Sequence, residues 1–168
     1  NYIARIAPES AEEPRYKKPL NNDFTDHTPW GMHTLSRESK ILYIAEGTFD
    51  ALSIEQSGYP VIATMGGHFP KSVLPSIINI CREYENVCLT FDNDTRGRQF
   101  TTDLSLLLFR NKIKFTVALI PEQFKDISDY YTAGYEIAGL AVTDGIMHLV
   151  SSFDNANEFR DFILQASR

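Results

Sequence analysis

The chain has 168 residues, of which 43% are hydrophobic, which is enough for one globular domain with a real core and a small appendage. Its 16 basic and 22 acidic residues give a formal net charge of −6, which argues against a nucleic-acid binder that relies on a broadly basic surface. We therefore expect any contact with nucleic acid to be local, to depend on a metal ion, or to come from other domains.

The two cysteines, Cys81 and Cys88, show no common zinc-ligand spacing. We expect both to be reduced thiols in the core of a cytoplasmic protein. No apolar run approaches the ~20 residues of a membrane span, and no signal-peptide pattern is present, so no membrane partner is expected. The chain begins at Asn1 rather than Met, and we expect it to be a piece of a longer protein.

Residues 1–38 are polar and are interrupted by prolines. They are predicted to form an extended lead-in with short elements at Tyr2–Ala7 and Trp30–Leu35, not a packed domain of their own. We divide the rest of the chain into a domain at residues 39–134 and a C-terminal extension at residues 135–168.

Strands and helices are predicted to alternate after the lead-in. Short apolar runs predict strands at residues 41–45, 61–65, 87–91 and 115–120. Apolar residues at helical spacing predict helices at Phe49–Gln56, Pro70–Tyr84 and Arg98–Arg110, with a further helix starting near Ile127. This order predicts an α/β fold with right-handed crossovers and a mainly parallel sheet of about four strands flanked by helices.

The C-terminal extension is predicted to hold two elements. A strand is expected at Ile146–Ser151, and a final helix at Ala156–Gln165. Asp154 or Asn155 would cap that helix.

Carboxylates follow the first and third predicted strands where each strand ends. Glu46 follows the first strand directly, and Asp92 and Asp94 follow the third. Because the carboxyl ends of parallel strands line one crevice, these side chains are aimed at one place. Crowded carboxylates repel one another, and a divalent cation relieves that repulsion. The pattern therefore predicts a Mg²⁺ site that serves phosphate chemistry.

Each acidic motif also has a plainer interpretation. Asp92 and Asp94 suit a solvated turn, and Glu46 and Asp50 suit the first turn of a helix. The segment Lys125-Asp126-Ile127-Ser128-Asp129 suits a loop that ends in a helix N-cap. The same segment would bring further carboxylates and a cation suited to phosphate to the crevice.

Four motifs in this order resemble the TOPRIM family, and within it the primase branch. They are Glu46-Gly47-Thr48-Phe49-Asp50-Ala51-Leu52, Gly66-Gly67, Asp92-Asn93-Asp94-Thr95-Arg96-Gly97-Arg98 and Lys125-Asp126-Ile127-Ser128-Asp129. The resemblance covers roughly residues 40–132, and the lead-in is similar to the stretch before TOPRIM in bacterial and phage-type primases. It implies a small Rossmann-like parallel sheet flanked by helices.

The resemblance also implies roles for particular residues. Glu46, Asp92 and Asp94 would be catalytic and would bind Mg²⁺ or Mn²⁺, while Asp50 and Asp126 match further acidic positions around the metals. Contacts to substrate phosphates are expected from Gly47, Gly66, Gly67, Gly97, Arg98 and Lys125.

The activity that the resemblance implies is template-directed joining of ribonucleotides. The partners would be a single-stranded DNA template, nucleoside triphosphates, and the zinc-binding or helicase domains of a plasmid, phage or mobile-element primase or primase-helicase. Phosphodiester cleavage by a nuclease or topoisomerase TOPRIM, and a non-catalytic module that binds nucleic acid or protein, stay open as alternatives. The isolated piece need not be active by itself.

Two positions depart from the family pattern. Arg96 stands where the family has a small residue. The last motif has the Asp-x-x-Asp spacing of plasmid and phage primases, where chromosomal primases favour Asp-x-Asp. The role of Asp129 is therefore left open.

Overall fold

The computed structural model describes residues 28–66, 68–153 and 155–166, together with the short strands β1 (Ala4–Arg5) and β2 (Tyr16–Lys17), which pair antiparallel. Most of the predicted lead-in, as well as Gly67 and Asp154, lies outside the described residues.

A five-stranded sheet forms the centre of the molecule, in the order β4-β3-β5-β6-β7. Its strands are β3 (Ile41–Ala45), β4 (Val61–Ala63), β5 (Asn86–Thr90), β6 (Phe115–Ala118) and β7 (Val142–Asp144). The first four run parallel, and β7 joins the edge of β6 antiparallel. The predicted α/β class with a mainly parallel sheet is therefore confirmed, with one strand more than expected.

Helices cover both faces of the sheet because residues along each strand alternate between two apolar cores. On β3, Leu42 and Ile44 enter one core, whereas Tyr43 and Ala45 enter the other. The helices are α1 (Thr48–Gln56), α2 (Leu74–Cys81), α3 (Thr95–Arg110), α4 (Ile127–Thr132), α5 (Gly145–Ser151) and α6 (Ala156–Ala166). Helices α2, α3 and α5 contribute to the first core, and α1 and α4 to the second.

The predicted strand at Ile146–Ser151 is wrong, because this stretch forms α5. The side chain of Asp144 caps the helix, accepting hydrogen bonds from the backbone N–H groups of Ile146 (2.9 Å) and Met147 (3.4 Å). Leu149 is then fully buried, while Ile146 and Met147 stay exposed. The strand of this region lies just before the cap, as β7, and supplies the fifth strand of the sheet.

Other element boundaries shift by a few residues. Helix α2 begins at Leu74, not at Pro70, because residues 71–73 form a turn and Pro75 occupies the first turn of the helix. Helix α3 begins three residues earlier than predicted because Asp94 caps it. The final helix agrees with the prediction, and the Asn155 side chain accepts hydrogen bonds from the backbone N–H groups of two residues in its first turn.

The segment before β3 lies along the outer edge of β4. Trp30 forms an antiparallel bridge with Ala63, and the Thr34 hydroxyl accepts a hydrogen bond from the Val61 N–H (2.8 Å) and donates one to its carbonyl (2.9 Å). Gly31 allows this approach because its φ is +98°, and a Cβ atom there would lie 2.0 Å from the Val61 carbonyl oxygen.

Both cysteines are buried and free, as predicted, and burial raises the pKa of Cys88 to about 11.

Within the described ranges, no helix combines the length and apolar character needed to cross a membrane.

Candidate metal centre

Three carboxylates meet at the carboxyl end of the sheet. Asp92 follows β5, Asp126 caps α4 after β6, and Asp50 lies in the first turn of α1 after β3. One oxygen atom from each of them lies within 4.8 Å of the others. Oxygen ligands of a single Mg²⁺ or Ca²⁺ are separated by up to about 4–5 Å, so this spacing suits a divalent cation.

Asp50 is the most buried member of this acidic triad, with 7% of its surface exposed. Its carboxylate accepts hydrogen bonds from the backbone N–H groups of Gly47 (3.0 Å) and Ser128 (3.3 Å), which fix its orientation. Burial, followed by the charges of Asp126 and Asp92, raises the pKa of Asp50 to about 7. Asp50 therefore does more than place a charge at a helix start: it adds a buried carboxylate to a crowded acidic group.

Glu46 lies beside this triad at the end of β3. Among the residues that the structure describes, its Oε2 atom is buried and has no hydrogen-bond partner. Burial raises the pKa of Glu46, the charges of Asp92 and Asp94 raise it further, and Arg96 opposes them. A buried carboxylate oxygen without a partner is costly, and a bound cation would satisfy it. The donor set of carboxylate oxygens therefore fits a hard divalent cation.

The carboxylate of Asp94 serves as a helix cap and does not belong to the triad. Its Oδ1 atom accepts a hydrogen bond from the Gly97 N–H (2.8 Å), so that the side chain caps α3 while staying exposed. Gly97 is needed here, because a Cβ atom at this position would lie 2.2 Å from the Asp92 carbonyl oxygen. The start of α3 is thus pressed against the backbone that carries Asp92.

Lys125 forms ion pairs with the carboxylates of Asp92 and Asp126, the second at 3.4 Å. Partial burial lowers the pKa of Lys125, but the two carboxylates outweigh that effect and raise it above its ordinary value. Burial raises the pKa of Asp92 above its usual value, the Lys125 ammonium opposes that effect in part, and the charges of Asp126 and Asp94 raise the pKa further. Lys125, which was expected to bind a phosphate, therefore forms ion pairs with two members of the acidic triad.

Of the other residues expected at the phosphates, Gly67 lies outside the described residues, and Gly47, Gly66 and Arg98 form the following contacts. The Arg98 guanidinium donates to the Asn93 carbonyl (2.7 Å), and the Gly66 carbonyl accepts from Arg96 (3.3 Å). Gly47 donates to Asp50, as described above, and a Cβ atom at Gly47 would lie 2.7 Å from the Asp50 Oδ2 atom. Contacts of these residues with phosphates stay predictions.

Asn93, between Asp92 and Asp94, was not among the site residues expected from the sequence. Its side-chain amide donates hydrogen bonds to the carbonyls of Ile120 (2.8 Å) and Phe124 (3.1 Å), in the segment that leads from β6 to α4. The only signal in the sequence is an amide side chain between two acidic residues at a strand end.

Helices on both faces of a mainly parallel sheet, with carboxylates gathered at the carboxyl ends of its strands, define a Rossmann-like domain with an acidic centre suited to a divalent cation. Residues 43–131 match the Toprim-like family (Toprim_2), and the chain belongs to this family. The predicted membership of the TOPRIM family is confirmed.

Its relatives include the DNA primase of Mycoplasma genitalium, which is 24% identical over 119 residues. The match covers 70% of this chain and 20% of that primase, so the chain spans only a fifth of the length of this relative.

Solved primase structures share the fold. The Aquifex aeolicus primase, with its zinc-binding and RNA polymerase domains, matches with a TM-score of 0.64 and 16% identity over 84% of this chain and 37% of its own. The RNA polymerase domain of the Mycobacterium tuberculosis primase DnaG, in complex with double-stranded DNA, matches with a TM-score of 0.61 and 19% identity over 81% of this chain and 45% of its own. A DnaG primase catalytic domain bound to single-stranded DNA matches with a TM-score of 0.63 and 16% identity over 81% of this chain and 44% of its own.

Proposed function

We propose that this chain is the catalytic TOPRIM domain of a DNA primase-like replication protein and supports Mg²⁺-dependent nucleotidyl transfer during RNA primer synthesis. The observation that carries the proposal is the acidic triad, in which one oxygen from each residue lies within 4.8 Å of the others. Beside it lies the buried Oε2 atom of Glu46, which has no hydrogen-bond partner among the described residues. The family and the primase fold support this choice among metal-dependent activities.

The metal ligands in this proposal are Asp50, Asp92 and Asp126, together with Glu46 and Asp94. A bound Mg²⁺ or Mn²⁺ would neutralise triphosphate charge and increase the acidity of the primer 3′-hydroxyl. Asp94 would contribute the carboxylate oxygen that does not cap α3.

Glu46 is the proposed proton acceptor. Burial and neighbouring carboxylates raise its pKa, and a carboxylate with a raised pKa accepts a proton more readily near neutral pH. One of its two carboxylate oxygens would bind the cation, and the other would accept the proton.

Lys125 and Arg98 are the proposed phosphate contacts, with the backbone of Gly47, Gly66, Gly67 and Gly97 close to the same phosphates. A bound divalent cation would neutralise Asp92, and the Lys125 ammonium, which now pairs with Asp92, would then be available to bind a phosphate oxygen.

The proposed partners are a single-stranded DNA template and nucleoside triphosphates. One matched DnaG catalytic domain is bound to single-stranded DNA, and the matched Aquifex aeolicus primase includes a zinc-binding domain. The net charge of −6 supports the proposal that other domains, zinc-binding or helicase, provide most of the binding to the DNA template. The parent protein would be cytoplasmic. The Asp-x-x-Asp spacing at Asp126 and Asp129 supports a plasmid, phage or mobile-element origin.

Two measurements test the proposal. Titration of the chain with Mn²⁺, followed by the electron paramagnetic resonance signal of the free ion, should show binding that the double variant Glu46→Gln, Asp92→Asn loses. Equal binding by the two proteins would contradict the metal site.

The second measurement uses the full-length parent protein with Mg²⁺, nucleoside triphosphates and a single-stranded template. Primer synthesis that depends on Glu46 is the expected result. DNA cleavage without nucleoside triphosphates would instead support a nuclease-type TOPRIM, and neither activity would support a non-catalytic binding module.

A further inference from the structure

The side-chain amide of Asn93 is directed at the segment that follows β6. Its Nδ2 atom donates to the carbonyl oxygens of Ile120 (2.8 Å) and Phe124 (3.1 Å), and the Pro121 carbonyl lies at 3.4 Å. An amide nitrogen carries two N–H groups, so the two shorter contacts use both donors. One side chain thus holds both ends of the turn between Ile120 and Phe124.

The backbone of Asn93 strengthens the same connection. Its N–H donates to the Lys125 carbonyl (2.7 Å), and its carbonyl accepts from the Arg98 guanidinium (2.7 Å). Asn93 therefore joins the end of β5, the first turn of α3, and the segment that carries Lys125.

The hydrogen bonds of Asn93 lie beyond the last paired residues of β5 and β6, so they connect chain segments that the sheet no longer joins. The parallel pairing of β5 with β6 extends only to Leu89 and Val117. Beyond it, the two chain segments that carry Asp92 and Asp126 are joined through Asn93 and through the Lys125 ion pairs. The ion pairs depend on charges that a bound cation would neutralise, whereas the amide bonds do not.

We propose that Asn93 is a positioning residue, which holds the segment from Ile120 to Lys125 against the end of β5 and so sets the separation of Asp126 from Asp92 and Asp50. The consequence for metal binding rests on the proposed function, whereas the clamp itself does not. Asn93 touches neither the metal nor the substrate in this role, since its amide faces the carbonyls of the segment.

The chemistry of the site requires an amide. Aspartate has the same shape, but it would place a carboxylate oxygen against the carbonyl oxygens of Ile120 and Phe124, where a donor is needed. Alanine would remove both bonds without adding charge. The two replacements therefore separate the loss of the donors from the effect of a new charge.

Asn111 offers a matched control. Its side-chain amide donates to a backbone carbonyl, that of Leu107 (2.9 Å), at the opposite end of α3. Asn111→Ala and Asn111→Asp therefore lose a bond of the same type at a place remote from the acidic triad.

The experiment compares the Asn93 and Asn111 variants in two measurements. In Mn²⁺ titrations, Asn93→Ala and Asn93→Asp should bind about 10- to 100-fold more weakly than wild type, as expected when a residue that orients metal ligands is lost. In hydrogen exchange of the metal-free proteins, the backbone N–H groups at positions 93 and 128 should exchange faster. Both Asn111 variants should match wild type in both measurements.

Unchanged Mn²⁺ affinity and unchanged exchange in folded Asn93 variants would overturn the proposal while leaving the metal site intact. Loss of affinity together with equally fast exchange across the whole chain would also overturn it, because that result indicates general unfolding. If wild type binds no Mn²⁺, the proposed function fails and the link of Asn93 to metal binding fails with it. Faster exchange confined to positions 93 and 128 would then still support the clamp.

Discussion

The ammonium group of Lys125 forms an ion pair with the carboxylate of Asp92, across the ends of two neighbouring strands. Asp92 also belongs to the acidic triad, so a divalent cation and Lys125 would compete for the same carboxylate. In the metal-free protein, the lysine supplies positive charge that offsets the repulsion between Asp92 and Asp126.

Replacing Lys125 by Met should therefore strengthen metal binding and weaken the metal-free fold. We expect Mn²⁺ to bind about 3- to 10-fold more tightly, because the ion no longer displaces an ammonium group. The melting temperature without metal should fall, because the carboxylates then lack a counter-charge. Lys40→Met is the control: it removes one positive charge, as Lys125→Met does, together with an exposed ion pair to Glu85. It should leave Mn²⁺ affinity unchanged. Weaker Mn²⁺ binding by Lys125→Met would contradict the competition.

Asp50 should make the stability of the metal-free protein depend on pH. Its pKa is raised from 3.8 to about 7 in the fold, so its protonated form stabilises the native state. This stabilisation is fully present below pH 3.8 and is lost as the pH rises through about 7. Asparagine can accept at only one oxygen, so Asp50→Asn loses one of the two backbone hydrogen bonds at every pH. Because asparagine does not titrate, the stability of Asp50→Asn relative to wild type should nevertheless rise by about 2–3 kcal/mol between pH 5 and pH 8.

Denaturant unfolding at several pH values, without metal, measures this difference. Glu122, which is exposed, provides a control position, and Glu122→Gln should show no such change with pH. A stability gap for Asp50→Asn that stays constant from pH 5 to pH 8 would show that Asp50 does not titrate in this range.

Gly97→Ala should damage both the fold and the metal centre. Its Cβ atom would lie 2.2 Å from the Asp92 carbonyl oxygen, so either the start of α3 or the backbone of Asp92 must move. We expect a loss of about 1–3 kcal/mol in unfolding free energy and weaker Mn²⁺ binding. Gly139→Ala is the matched control, because a Cβ atom there meets nothing within 4 Å. If both variants behaved alike, the close contact with Asp92 would be irrelevant.

Glu46→Gln and Asp94→Asn should separate the two carboxylates that flank the triad. Glutamine removes the charge of a buried oxygen that has no partner in the described structure, and we expect Mn²⁺ affinity to fall at least about 10-fold without loss of stability. Asparagine caps a helix about as well as aspartate, so Asp94→Asn should fold normally. Its Mn²⁺ affinity should fall less, because one Asp94 oxygen is already engaged by Gly97. Isothermal titration of both variants ranks the two, and the opposite order would assign the larger role to Asp94.

The sequence was sufficient to predict the four parallel strands and the meeting of Glu46 and Asp92 at one edge of the sheet. Apolar runs and the geometry of parallel sheets decide both of these features. The position of the Asp126 loop after the fourth predicted strand also indicated that it reaches the crevice. The closeness of Asp50 to this group followed only from the family resemblance, because no periodicity reports which loops converge. That convergence depends on α1 packing against α4 across the second core.

Other features depend on local bonds that compete with simple patterns. The apolar run at residues 146–151 suits either a strand or a helix, and the Asp144 cap decides in favour of the helix. The role of Asn93 was hidden because its partners are backbone carbonyls, which leave no trace in the sequence. The pairing of Lys125 with Asp92 likewise requires knowledge of which side chains meet.

The bridge between Trp30 and Ala63 has a practical consequence for any shortened form of this protein. An uncovered edge strand offers free backbone donors and acceptors to the edges of other molecules. A chain that began at residue 39 would retain all five strands of the sheet and yet expose the outer edge of β4. Such a truncation invites intermolecular strand pairing, and an aggregated sample would then be mistaken for an unstable domain.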